Sequence, residues 1–147
     1  MTRAIKLTWL IITLNLLIAT IMILVMFGVS GFMETIMFWP TILLLGILGL
    51  YISGFYVAQK MDTEINIKHQ KTYLIGIPCL LSILITGTFI GSTMGFIKFG
   101  ISEIGKNHLS DLIFDYYIKP YFWVLFFGII PTFITGFILG KLIKNHR

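Results

Sequence analysis

The chain has 147 residues, 57% of them hydrophobic and only 12% charged, with a mean hydropathy of +0.95. A soluble domain carries about 25% charge, and a disordered chain needs low hydrophobicity with high net charge, so neither class fits. The net charge is +5 and Cys79 is the single cysteine, which excludes a disulfide framework, a CxxC redox pair and a cysteine-rich zinc site.

A hydrocarbon layer about 30 Å thick is crossed by roughly 20 apolar residues in helix. Four stretches have that length: residues 7–28, 37–58, 73–97 and 121–140, and none contains Asp, Glu, Lys, Arg or His. Runs such as Ile21-Met22-Ile23-Leu24 lack the period-two alternation of a barrel strand. The expected fold is all-α, a polytopic integral membrane protein. Its four transmembrane helices form an up-down-up-down bundle, one domain over residues 1–147.

The first span follows Arg3 and Lys6. Its apolar run exceeds the 7–15 residues of a signal-peptide core and no small-x-small cleavage site follows, so it is expected to stay as a helix. Asn15 is its only amide and forms a polar or small stripe with Thr8 and Ala19. An amide in hydrocarbon needs a partner, so this stripe should face the bundle, bonding another helix or a polar substrate. Residues 29–36 read as a tight antiparallel turn, which Gly28 and Gly31 permit.

In the second span Pro40 falls in the first turn, where a missing N–H costs little. Gly49 with Ser53 and Gly54 with Ala58 make small-xxx-small pairs of the kind that let helices approach closely. Residues 59–72 form a polar loop. The third span carries Gly87, Gly91 and Gly95, a GxxxGxxxG stripe flanked by Thr86, Thr88, Ser92 and Thr93, and Pro78 lies near its start. The stripe seats another helix of the same chain, or forms a seam between copies or a narrow pore lining.

Between the third and fourth spans, Leu109, Leu112, Ile113, Tyr116 and Tyr117 recur at helical spacing, with His108, Asp111, Asp115 and Lys119 on the other side. Asn107 or Ser110 is placed to cap this segment and Pro120 to end it. A short amphipathic helix on the outer membrane surface is expected. His108, Asp111 and Asp115 share a face with spacing suited to a metal, but a solvated polar face is the simpler reading, and no metal or cofactor is expected. In the fourth span Pro131 should kink the helix and free the Phe127 carbonyl, with Thr132 and Thr135 close enough to help. Gly136 and Gly140 form a further small pair. Residues 51–58 resemble residues 133–140 (Ile-Ser-Gly-Phe over Ile-Thr-Gly-Phe), raising a duplicated hairpin of residues 1–60 and 73–142.

Four spans put both termini and residues 59–72 on one side. That side holds eight Lys and Arg (Arg3, Lys6, Lys60, Lys68, Lys71, Lys141, Lys144, Arg147), and the other holds three (Lys98, Lys106, Lys119). Both termini are therefore expected to be cytoplasmic, in the cytoplasmic (inner) membrane. Trp9, Tyr56 and Tyr73 at inner ends, and Trp39, Tyr121 and Trp123 at outer ends, agree with headgroup-level placement.

The spans offer no carboxylate or imidazole for proton coupling, and the chain has neither HExxH nor a P-loop. No enzyme is expected. The leading expectation is a small multi-pass protein acting by helix–helix association, as a homo-oligomer or as an accessory subunit of a membrane complex. The seam would use Gly87, Gly91, Gly95, Gly49, Ser53, Gly136 and Gly140. The alternative is a small channel or permease for an ion or neutral solute, its polar path formed by Asn15, Ser82, Thr86, Ser92 and Thr135. The expected partners are the lipid bilayer and a second copy or another membrane protein. No basic stripe interleaves with aromatics, so nucleic acid is not one of them.

Overall fold

The computed structural model describes residues 2–67, 71–105 and 108–144, with side chains described at all of these except residues 72–74. Lys68, Lys106, Asn107, Arg147 and the Tyr73 side chain lie outside the described residues. The chain is all-helical, and among the described residues four helices are long and apolar enough to cross a membrane. They are α1 (Arg3–Phe38), α2 (Pro40–Ile67), α3 (Thr72–Gly95, prolonged by Phe96–Gly100 and Ile101–Glu103) and α4 (Leu109–Lys144). An uninterrupted apolar sequence gives the backbone few polar side chains to bond, and a helix satisfies its N–H and C=O groups within the segment.

Residues 59–67, expected within a polar loop, continue α2 as helix to Ile67, and two further connections differ from expectation. Residues 29–36 are not a tight turn. Gly28 leaves the helical region, at φ 70 and ψ −178, and the chain then winds on as helix to Phe38. That positive φ is one that L side chains avoid. The helix is interrupted again at Trp39 (φ −121, ψ 31), whose N–H bonds the Thr35 carbonyl, and Pro40 follows in the first position of α2, where its missing N–H is not needed. The second difference lies at residues 109–117, which are helical as their spacing predicts but do not form a separate short helix. Pro120 does not end them. Leu109–Ile113 leads through a wide turn, Phe114–Ile118, into Lys119–Lys144. In that turn the Lys119 N–H reaches back five residues to the Phe114 carbonyl. A widened turn relieves the press of a proline ring on the carbonyl before it, so the helix passes Pro120.

α1 packs on α2 and α4, α2 on α3, and α3 on α4. The glycines set the registers. A Cβ on Gly91 would meet Gly46 Cα at 3.5 Å and the Ile42 carbonyl oxygen at 3.6 Å, while one on Gly49 would meet Gly87 Cα at 3.4 Å. Numbers rise along α2 as they fall along α3. Between α3 and α4 the backbones come closer still. A Cβ on Gly136 would stand 2.9 Å from Ile77 Cα, and one on Gly76 would overlap the Gly136 carbonyl oxygen. α1 meets α2 through Trp9, whose indole donates to the Tyr51 carbonyl at 3.3 Å and whose ring sits edge-on to Tyr51 at 5.7 Å.

The core is concentrated at one end. Ala4, Ile11 and Ile12 of α1, Met61 and Ile65 of α2, Ile75, Leu80 and Ile83 of α3, and Leu139 and Ile143 of α4 form one buried cluster. It joins the beginnings of α1 and α3 to the ends of α2 and α4. Past Ile12 no residue of α1 is buried, and in α4 none is buried from Lys119 to Pro131. α3 keeps Gly87, Gly91 and Gly95 buried beyond this cluster, against α2 and the start of α4. The bundle is thus tight at one end and opens between α1 and α4 at the other.

Candidate functional site

The opening is a cleft of about 640 Å³ bounded by α1, α3 and α4, with Leu50 of α2 at its back. α1 gives it one face, running from Ile12 through Leu16, Ala19 and Met22 to Phe27, at the three- and four-residue spacing of a helical stripe. Leu80, Ile83 and Leu84 of α3 form the wall behind, and Trp123, Phe127, Pro131 and Thr132 of α4 close the other side. The Trp123 and Phe127 rings stack at 5.6 Å, 6° from parallel. Gly128 lets α4 lie against α3 here, since a Cβ would already reach Leu84 Cδ2 at 3.1 Å. Among the described residues no Asp, Glu, Lys, Arg or His lines the cleft.

At its narrow end the cleft meets the one hydrogen bond between side chains of α1 and α4 among the described residues. Asn15 Nδ2 donates to Thr135 Oγ1 at 3.0 Å. The Thr135 hydroxyl in turn donates to the Pro131 carbonyl at 2.7 Å. Thr135 is buried and Asn15 half-buried. Pro131 brings no N–H to bond the Phe127 carbonyl, and Phe127 lies in the cleft wall. The bond holds α1 and α4 together at mid-length, and beyond it they part.

Asn15 and Thr135 are the two members of the expected polar path that the fold joins. Ser82 and Thr86 lie exposed on α3, each bonded at 2.8 Å to a carbonyl of its own helix, Pro78 for Ser82 and Ser82 for Thr86. Ser92 is buried with no hydrogen-bond partner for its Oγ among the described residues, as is Thr8 Oγ1. The hydroxyls therefore do not converge on one route. Hydroxyls that face outward and bond their own backbone contribute little to folding, and Ser82→Ala with Thr86→Ala is expected to shift unfolding free energy in detergent by less than about 0.5 kcal/mol each.

Of the seam residues, Gly87, Gly91 and Gly49 lie at the α2–α3 contact, and Gly95 meets Ile42 and Tyr116. Ser53 bonds the Gly49 carbonyl at 2.7 Å and the Leu50 carbonyl at 3.1 Å. Gly136 and Gly140 lie against α3, where Gly76, which the sequence did not single out, faces both. Gly54, matched with Gly136 in the duplicated reading, packs on Ile12 and Thr8 of α1, the helix before its own, as Gly136 packs on α3. His108 and Asp111 are exposed and Asp115 pairs with Lys119. Among the described residues no three metal-ligating side chains come together.

The cleft itself was missed from sequence, although its α1 stripe extends the Asn15 and Ala19 pattern and its α4 wall begins at Pro131. No protein-family model matches this chain, and neither a curated protein nor a solved structure shows significant similarity to it.

Proposed function

We propose that the chain is a non-enzymatic protein of the cytoplasmic membrane, an up-down-up-down bundle with both termini cytoplasmic, that acts by holding an apolar partner within the bilayer. The observation that carries this reading is the cleft between α1 and α4, whose walls are apolar and carry no ionisable group. Ligand sites are commonly concave, mostly apolar and about 300–1,000 Å³, with a few placed polar groups. The eight-to-three division of Lys and Arg supports the orientation. In that orientation the cleft lies in the outer half of the membrane and opens sideways to lipid.

Association through the glycine stripes has less support than the cleft, because Gly87 and Gly91 already face α2, and Gly136 faces α3, within one chain. A seam with a second copy or a larger complex would have to use other surface. The channel reading lacks a lining, since Ser82 and Thr86 lie outside the bundle.

The test uses the full chain in lipid nanodiscs with diazirine-bearing hexadecane as the probe. Saturable photolabelling is expected on residues 12–27 and 123–132, relieved by excess unlabelled hexadecane. Liposomes carrying the protein should show no sodium or glycerol flux above protein-free liposomes. Non-saturable labelling spread over exposed positions such as Leu14 and Ile134, or measurable flux, overturns the reading.

A further inference from the structure

We infer that the cleft takes a neutral, single-chain lipophile with an uncharged oxygen, hydroxyl or carbonyl, at one end, and that Asn15 holds that oxygen. This rests on the cleft being a binding site, as proposed above.

Shape is the first argument. The α1 stripe from Ile12 to Phe27 extends about 22 Å at 1.5 Å per residue. A cleft of about 640 Å³ drawn out over that length and open along its side offers a groove that one extended chain can follow.

Charge is the second. A charged group at the depth of Asn15 would meet no counter-charge in the lining and would carry the full cost of desolvation. Asn15 lies thirteen residues before the bend at Gly28, about 20 Å along the helix. The headgroup of a phospholipid anchored at the outer surface does not reach it.

The third is hydrogen-bonding capacity. A side-chain amide offers two N–H donors and a carbonyl with two lone pairs. Thr135 takes one N–H, and its only proton is directed to the Pro131 carbonyl at 2.7 Å, leaving Asn15 Oδ1 at a weak 3.4 Å. One N–H and the carbonyl oxygen of Asn15 remain for a ligand, toward the end of a slot whose one other polar side chain among the described residues is Thr132. A hydroxyl uses both and a carbonyl accepts the N–H. The tail then runs outward past Met22 toward Phe27 and the stacked Trp123 and Phe127.

Competition against the diazirine-hexadecane probe in nanodiscs tests this, with hexadecanol, hexadecane and hexadecyl phosphate compared at equal mole fraction in the bilayer. Hexadecanol is expected to displace the probe about tenfold more effectively than hexadecane, the equivalent of one net hydrogen bond. Asn15→Leu should bring the two to equality. Hexadecanol carrying a diazirine beside its hydroxyl should label residues 12–19 and not 23–27, a readout on the unaltered protein that stands even if the variant fails to fold. Equal competition by hexadecanol and hexadecane, a preference kept in Asn15→Leu, or competition by hexadecyl phosphate matching the alcohol overturns the anchor while the cleft reading stands. Loss of saturable labelling altogether removes the cleft reading instead.

Discussion

Gly76→Val is expected to unfold the α3–α4 half of the bundle, at a cost of about 3 kcal/mol or more. A Cβ at position 76 would overlap the Gly136 carbonyl oxygen and stand 3.1 Å from the Gly140 nitrogen. Both obstacles are backbone, so no side chain can swing aside, and relief requires the helices to separate. Separation forfeits the close packing that, without a hydrophobic force between apolar helices in lipid, supplies much of their association. Gly91→Ala is the contrast. Its Cβ would make ordinary contacts of 3.5 Å and 3.6 Å with Gly46 Cα and the Ile42 carbonyl oxygen, and a change below about 0.5 kcal/mol is expected. Reversible unfolding in mixed detergent micelles, titrated with a denaturing detergent, measures both. A Gly76→Val protein as stable as the parent contradicts the α3–α4 approach described above.

Ala19→Trp is expected to abolish probe binding in the cleft, with labelling reduced more than tenfold, while leaving the bundle folded. Ala19 lies midway along the α1 stripe and is exposed into the opening. An indole there occupies the middle of the slot without displacing any helix. Because it adds apolar contact and removes none, the melting temperature should hold or rise. That pairing of lost binding with kept stability separates a blocked site from a damaged fold. Leu84→Trp, from the α3 wall, should also block the slot, but with lower stability, because Leu84 packs on Gly128 of α4. Undiminished saturable labelling in both variants places the probe elsewhere.

Helicity was legible because it is local. Every position from 7 to 27 is compatible with a helix whose backbone bonds lie within the segment, and the absence of charge marks the same stretch. Boundaries were less legible. Gly28 and Gly31 look alike as turn residues, yet Gly28 alone adopts a positive φ. Pro120 looks like a stop, but the wide turn before it carries the helix through. The partners of the α3 hydroxyls were not legible either, since Ser82 and Thr86 bond carbonyls of their own helix, which a hydroxyl in a helix does as readily as it bonds a neighbour.

The amino-acid sequence by itself determined four long helices, each with an apolar stretch free of Asp, Glu, Lys, Arg and His, because composition and the reach of one helical turn are properties of consecutive residues. Tertiary structure alone decided that Gly76 meets Gly136, that Gly46 meets Gly91, that Asn15 finds Thr135 across 120 positions, and that α1 and α4 part beyond that bond. Those outcomes depend on the register and tilt at which helices pack, which many small contacts set jointly. A cleft is the space such packing leaves, so no single stretch of sequence encodes it.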